Sequence, residues 1–162
     1  MNRTYLLIGS NVGNRVNNIE TATNLLEQQI GKIIKSSSVY ETDAWGNTSQ
    51  PDFLNQAILI ETRLNAHKCM QQIFSIENKM GRVRIKKNDP RIIDVDILFF
   101  NDEIINEQDL IVPHPQIQNR KFVLIPMNEL SPGFIHPVLN QTIGNLLSTC
   151  ADPLQVRLLG HP

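Results

Sequence analysis

The chain has no run of 18 apolar residues, only two cysteines, and almost no net charge: 15 Lys and Arg stand against 16 Asp and Glu, for a formal charge of -1. The first absence argues against a membrane-spanning helix. Near-neutrality removes any global attraction to nucleic acid or an anionic membrane, so cationic chemistry in this chain has to be local. Cys69 and Cys150 lie far apart without metal-ligand spacing and read as reduced thiols with no catalytic role. The opening Met1-Asn-Arg-Thr-Tyr-Leu-Leu-Ile-Gly9 has too short an apolar run for a secretory leader and passes straight into a turn. Repeats, low-complexity tracts and an evident linker are also missing. With 162 residues and 41% hydrophobic content, the expectation is one soluble cytoplasmic domain over residues 1–162, large enough to bury a core, acting as a monomer.

What is present concentrates between Gly81 and Phe100. Arg82, Arg84, Lys86, Lys87 and Arg91 crowd a turn-prone stretch containing Asn88-Asp89-Pro90, and proline disfavours helix at the residue before it. Directly after this basic loop comes Ile92 to Phe100, a strand. Alternation puts Ile93, Val95, Ile97 and Phe99 on one side and Asp94 and Asp96 on the other, with Leu98 and Phe100. Carboxylates two residues apart in a strand are roughly 7 Å apart. At an effective dielectric of about 20 they repel by roughly 2 kcal/mol, a cost that divalent cations remove. Oxygen-only ligands favour magnesium over zinc. Arginine forks beside bridging metal ions neutralise charge on a moving phosphate, so the segment reads as a polyphosphate site. A solvated basic turn before an ordinary strand would explain the loop but not the two acids.

Elsewhere the pattern gives strands at Tyr5–Gly9, Lys32–Tyr40 and Phe53–Thr62, the last two pairing antiparallel. A helix starting near Asn14 carries the stripe Ile19, Ala22, Leu25, Leu26 and Ile30. Asn65 caps a second, whose inward stripe is Ala66, Cys69, Met70, Ile73, Phe74, Glu77 and Met80. Glu103–Ile105 is expected to return against the Asp-bearing strand, and Leu110–Val112 precedes the Pro113-His-Pro115 corner. Arg120–Leu130 and Thr142–Ser148 read as short helices. The order β-α-β-β-α-β with appended pieces fits an α+β, ferredoxin-like core in three layers, α/β/α, with the fourth strand expected at the centre of the sheet.

Phe53 and Phe122 could sandwich a flat heterocycle, with the Asn55 amide offering both a donor and an acceptor to its edge, although aromatics spaced like this are more often core-packing residues. The Gly9-Ser-Asn-Val-Gly13 turn lacks the Gly-Lys-Ser/Thr ending of a phosphate loop and reads as a tight strand-to-helix turn. Glu77, on an inward helix face, needs a partner for its charge.

Seven segments in order, Ile8-Gly-Ser-Asn11, Tyr40-Glu-Thr42, Gln50-Pro-Asp-Phe-Leu-Asn55, Gly81-Arg-Val-Arg84, Pro90-Arg-Ile-Ile-Asp-Val-Asp-Ile97, Val112-Pro-His-Pro115 and Asn119-Arg-Lys-Phe122, resemble the 6-hydroxymethyl-7,8-dihydropterin pyrophosphokinases of folate biosynthesis. The resemblance runs from about Tyr5 to Leu147. It implies transfer of pyrophosphate from ATP to the pterin hydroxymethyl oxygen, with release of AMP. By that resemblance Asp94 and Asp96 are the ligands of two Mg2+ ions, and Arg82 and Arg91 are mobile arginines that grip the phosphates; these four are the expected catalytic residues. Arg84, His114 and Arg120 match further triphosphate contacts, and Glu77 and Ile97 fall at nucleotide-pocket positions. The pterin is expected between Phe53 and Phe122, held by Asn55 and by main-chain groups around Thr42, Ala44 and Trp45. The chain departs from the family pattern at Asn88-Asp89, where Trp-Gly is frequent, and at Asp109 and Ile111, near the expected nucleotide.

Two other functions suit the same pattern. A palm-type nucleotidyltransferase or cyclase also sets paired acids on a ferredoxin-like sheet but yields pyrophosphate, and a ferredoxin-like regulatory module binds a small ligand without turnover.

Overall fold

The computed structural model describes residues 1–43, 50–82 and 90–159. Strand β1 (Asn2–Ser10) is buried from Thr4 onward and sits between two longer-range partners. It is followed by α1 (Arg15–Gln29), β2 (Gly31–Ser36), β3 (Tyr40–Thr42), β4 (Phe53–Thr62), α2 (Ala66–Lys79) and β5 (Asp94–Phe100). A small ladder of β6 (Ile105–Asn106) and β7 (Ile111–Val112), a 3-10 turn at Ile117–Asn119, α3 (Lys121–Leu130), α4 (Ile143–Thr149) and β8 (Val156–Leu158) complete the order. The main sheet runs β5-β1-β4-β3-β8, with β2 also paired to β4. Its β1, β4 and β5 pairings are all antiparallel. This is the expected ferredoxin-like core.

Helices α1 and α2 start where asparagines meet free main-chain donors. Asn14 accepts from the Asn17 N–H at 3.1 Å and Asn65 from the Lys68 N–H at 2.9 Å. Their apolar stripes, Ile19, Ala22 and Leu26 on α1 and Ala66, Cys69, Ile73 and Ile76 on α2, pack with Leu6, Ile8 and Val95 on one sheet face. The other face, built on Tyr5, Leu7, Ala57 and Leu59, receives Val123, Leu124 and Met127 of α3 and Ile143 and Leu146 of α4. Three layers result. Among the described residues no helix is long and apolar enough to cross a membrane.

Five expectations need correction. The fourth predicted strand, β5, lies at the edge of the sheet and not at its centre, where β1 and β4, both largely buried, each take strands on two sides. The outer edge of β5 is partly covered, because the His114 N–H donates to the Leu98 carbonyl at 3.0 Å. Alternation along β5 also breaks: Leu6 pairs with Ile97 but Tyr5 with Phe99, so Leu98 is an extra residue, and Phe99 joins Tyr5 on the α3/α4 face while Phe100 turns to the other. The predicted strand Lys32–Tyr40 is two strands. Ser37 interrupts it by using its hydroxyl to accept the Ala57 N–H at 3.0 Å and to donate to the Ser38 carbonyl at 2.8 Å. Ile105 pairs with Val112 in the separate β6/β7 ladder instead of returning on β5. Phe74, expected to face inward, is 41% exposed.

Candidate active site

The pairing register builds the site. Gly9 at the end of β1 stands opposite Asp94 on one side and Asn55 on the other, and Leu7 stands opposite Asp96. Directly paired residues share a sheet face, so both carboxylates and the Asn55 amide point to the α3/α4 side. There they line one cleft with Leu7, Gly9, Thr42, Asp43 and Phe53 from the sheet side, Arg91 beside β5, and Arg120 and Phe122 at the start of α3. The acids expected to act together are neither turned apart nor sealed in hydrocarbon.

Gly9 is required where it is. A Cβ there would stand 2.6 Å from Asn55 Oδ1, inside contact distance, so the bare backbone is what lets the carboxamide lie across it.

The arginines sit on the acids. Arg82 Nη1 donates to Asp94 Oδ1 at 2.7 Å and to Glu77 Oε2 at 2.9 Å, and Arg91 Nε stands 3.4 Å from Asp94 Oδ2. Glu77 is 1% exposed, and its Oε2 also accepts the Val95 N–H at 2.9 Å, which answers the requirement for a partner and ties α2 to β5. Arg91 lies over the Phe53 ring, 5.0 Å from its centroid, and Arg120 over the Phe122 ring at 5.5 Å. Both rings border the cleft, and Phe122 also packs against the α3/α4 core.

Burial, then the neighbouring Asp94 and Glu77 charges, push the Asp96 carboxyl up to about 8, a cost that Arg120 and Arg82 only partly offset. A pair of acids in this condition suits a hard divalent cation, which favours oxygen ligands. Among the described residues no group of three or more His, Cys, Asp or Glu side chains is arranged to hold a metal, so Asp94 and Asp96 would need phosphate oxygens and water to complete the shell. Mg2+ accepts that arrangement, since it keeps waters and shares itself with substrate phosphates.

His114 is held at about 4 by burial and by the neighbouring Arg120. Its Nδ1 accepts the Gln116 N–H at 3.2 Å, so in the neutral ring the proton rests on Nε2 as a donor. Thr42 is 1% exposed, and among the described residues its Oγ1 has no hydrogen-bond partner. Ile97 turns its side chain into the α1/α2 core, which leaves only its main chain for a nucleotide. Ala44, Trp45, Arg84 and Asn88-Asp89 lie outside the described residues. Burial pushes the Cys69 thiol up to about 11, consistent with an inert side chain.

Asn11, in the turn after β1, joins three loops. Its Oδ1 accepts the Arg91 N–H at 2.8 Å, its N–H donates to the Arg91 carbonyl at 3.2 Å, and its amide nitrogen donates to Gln50 Oε1 and the Pro51 carbonyl, each at 3.1 Å. Nothing in periodicity or spacing signals such a bridge.

A ferredoxin-like sheet with paired acids, arginines on those acids and ring-bordered cleft walls has the equipment of a phosphoryl-type transferase. The sequence model of the family described as 7,8-dihydro-6-hydroxymethylpterin-pyrophosphokinase matches residues 5–132, and the chain belongs to that family. It is similar to the 2-amino-4-hydroxy-6-hydroxymethyldihydropteridine pyrophosphokinase of Bacillus subtilis, 43% identical over 80% of this chain and 78% of that one, and to that of Aquifex aeolicus, 39% identical over 88% and 89%. The folic acid synthesis protein FOL1 of Dictyostelium discoideum is 40% identical over 90% of this chain, which spans only 22% of that protein's length. Among solved structures, wild-type Plasmodium falciparum HPPK-DHPS with pterin and p-hydroxybenzoate shares the fold, at a TM-score of 0.74 and 22% identity over 91% of this chain and 42% of that one.

Proposed function

We propose that this chain transfers pyrophosphate from ATP to the hydroxymethyl oxygen of 6-hydroxymethyl-7,8-dihydropterin, releasing AMP, in the route to tetrahydrofolate. The observation that carries the reading is the sharing of one cleft by Asp94 and Asp96 with Thr42, Phe53, Asn55 and Phe122. Phe53 and Phe122 take the faces of the pterin. The Asn55 amide and the Thr42 hydroxyl serve its polar edge, and the buried Thr42 oxygen supplies a hydrogen bond otherwise unmade.

Two Mg2+ ions held by Asp94 and Asp96 would supply charge neutralisation at the triphosphate and a lowered pKa for the acceptor alcohol. Around them, Arg82 and Arg91 grip the transferring phosphates, donating hydrogen bonds that strengthen as charge moves to the leaving AMP. Arg120 lies between the acids and Phe122, where it offsets charge on Asp96 and reaches the phosphates, with Arg84 assigned to the same task. His114 gives an uncharged N–H to a phosphate oxygen. Glu77 and the Ile97 main chain border the nucleotide, and the main chain of Ala44 and Trp45 completes the pterin side.

The test is product analysis with ATP, Mg2+ and the hydroxymethylpterin. Pterin-dependent AMP is expected, lost by at least about a thousandfold in Asp94→Ala. Release of inorganic pyrophosphate instead would favour a nucleotidyltransferase, and no turnover with intact ligand binding would favour a regulatory module.

A further inference from the structure

The segment from Cys150 to Leu159 lies past residue 132, where the family match ends, and it reaches both walls of the acceptor cleft. At one wall is the start of α3. Arg120 gives that helix no side-chain cap, and the missing acceptor comes from Asp152, 6% exposed, whose Oδ2 accepts the Lys121 N–H at 3.0 Å while Oδ1 accepts the Leu154 N–H at 3.0 Å. The residues on either side of that capped N–H are Arg120 and Phe122. At the other wall, β8 pairs with β3, placing Val156 opposite Thr42 and Arg157 opposite Glu41. Arg157 Nη2 donates to Asp52 Oδ2 at 2.9 Å, and its guanidinium stands 3.5 Å from Asp43 and 3.9 Å from Glu41. Asp52 precedes Phe53, and Asp43 follows Thr42.

We propose that Asp152 and Arg157 are positioning residues that fix the spacing between the two walls of the pterin cleft. This rests on the reading of the cleft as the pterin site. One short strap sets the α3 wall through a helix cap and the β3/β4 wall through an ion-pair fork, so Phe122 and Phe53 are held in register by the same ten residues. Loosening the Arg157 end lets Phe53 drift while the phosphate side, built on β5 and α2, stays as it was; loosening the Asp152 end lets Phe122 drift together with Arg120, its neighbour across the capped N–H. The penalty falls on pterin binding. Arg157 is 39% exposed, so its share is also weakened by salt.

Steady-state kinetics with each substrate varied, together with pterin titration by fluorescence quenching, tests this in Asp152→Ala, Arg157→Ala and Arg157→Lys. Asn65→Ala, which removes the α2 cap on the opposite sheet face, controls for simple destabilisation. The pterin KM and Kd are expected to rise about tenfold in both alanine variants, with kcat and the ATP KM within about threefold in Arg157→Ala, partial recovery in Arg157→Lys, and no change in Asn65→Ala. If Asp152→Ala does not fold, Arg157 alone decides. Parental pterin KM in Arg157→Ala, or an equal rise in Asn65→Ala, overturns the inference while leaving the proposed reaction standing. Absence of pterin-dependent AMP from the unaltered protein overturns both.

Discussion

Arg82 Nη1 stands 2.7 Å from Asp94 Oδ1 and 2.9 Å from Glu77 Oε2 and donates to both, so one guanidinium bridges a cleft acid and a buried acid. Arg82 is thus a counter-ion to a proposed metal ligand, in reach of the same cleft where a triphosphate would lie. Glu77 keeps the Val95 N–H as a second partner, so release of Arg82 does not leave its carboxylate without a hydrogen bond.

Arg82→Ala is expected to lower kcat by about a hundredfold or more while the pterin Kd shifts less than about threefold, since the arginine contacts strengthen in the transition state. It also removes one member of a buried ion pair, a loss of about 3–5 kcal/mol in comparable settings. Glu77→Gln combined with Arg82→Met should therefore recover much of the thermal stability without recovering turnover. Full activity in either protein would remove Arg82 from the reaction.

The raised Asp96 carboxyl makes a pH-dependent prediction. Its folded pKa, about 8, lies above the ordinary carboxylate value of about 4, so the native state resists ionisation and loses stability as pH rises between the two values. Asp96→Asn removes that loss. In the absence of Mg2+ and nucleotide, the melting temperature of the variant should match the parent near pH 4 and exceed it increasingly up to about pH 8, although AMP formation is abolished. A stability gain that does not vary with pH would contradict the assignment.

His114 is expected to stay neutral throughout the working range, because burial and Arg120 hold it at about 4. His114→Gln should weaken ATP binding several-fold, yet leave the pH profile of kcat/KM for ATP unaltered in shape between pH 6 and 8. Loss of an inflection in that interval would show that the imidazole titrates there.

How much of this was readable beforehand divides along physical lines. Asp94 and Asp96 stood out because two charges on one strand face violate the apolar pattern around them, and α1 and α2 followed from stripes that repeat at helical period. The edge position of β5 is not legible, because a largely apolar run such as Ile92–Phe100 looks alike whether its neighbours are strands on both sides or one strand and a covering loop. Alternation puts Phe99 on the opposite face because a bulge at Leu98 depends on pairing register with β1, which no local pattern records. Asn11, Asp152 and Arg157 carry no local signal for the same reason: each acts on residues 31 to 116 positions away, through hydrogen bonds or ion pairs that only the folded chain brings together.

Gly9 offers the sharpest test of the pterin wall. A methyl group at that position would stand 2.6 Å from Asn55 Oδ1 but 3.6 Å from the nearest main-chain atom, the Leu54 carbonyl oxygen, so the side-chain amide yields before the sheet does. The fold should tolerate Gly9→Ala, since alanine also restricts the unfolded chain and offsets some of the crowding by about 0.4–1 kcal/mol. Pterin recognition should not, because the displaced Asn55 amide can no longer present its donor and acceptor together. The pterin KM is expected to rise at least about tenfold with the ATP KM unchanged, and Asn55→Ala should show the same split. Combined, the two substitutions should cost little more than either alone, as expected for residues acting through one contact. Additive losses in the double variant would mean that Gly9 serves the site through Asp94, its other pairing partner, and not through Asn55.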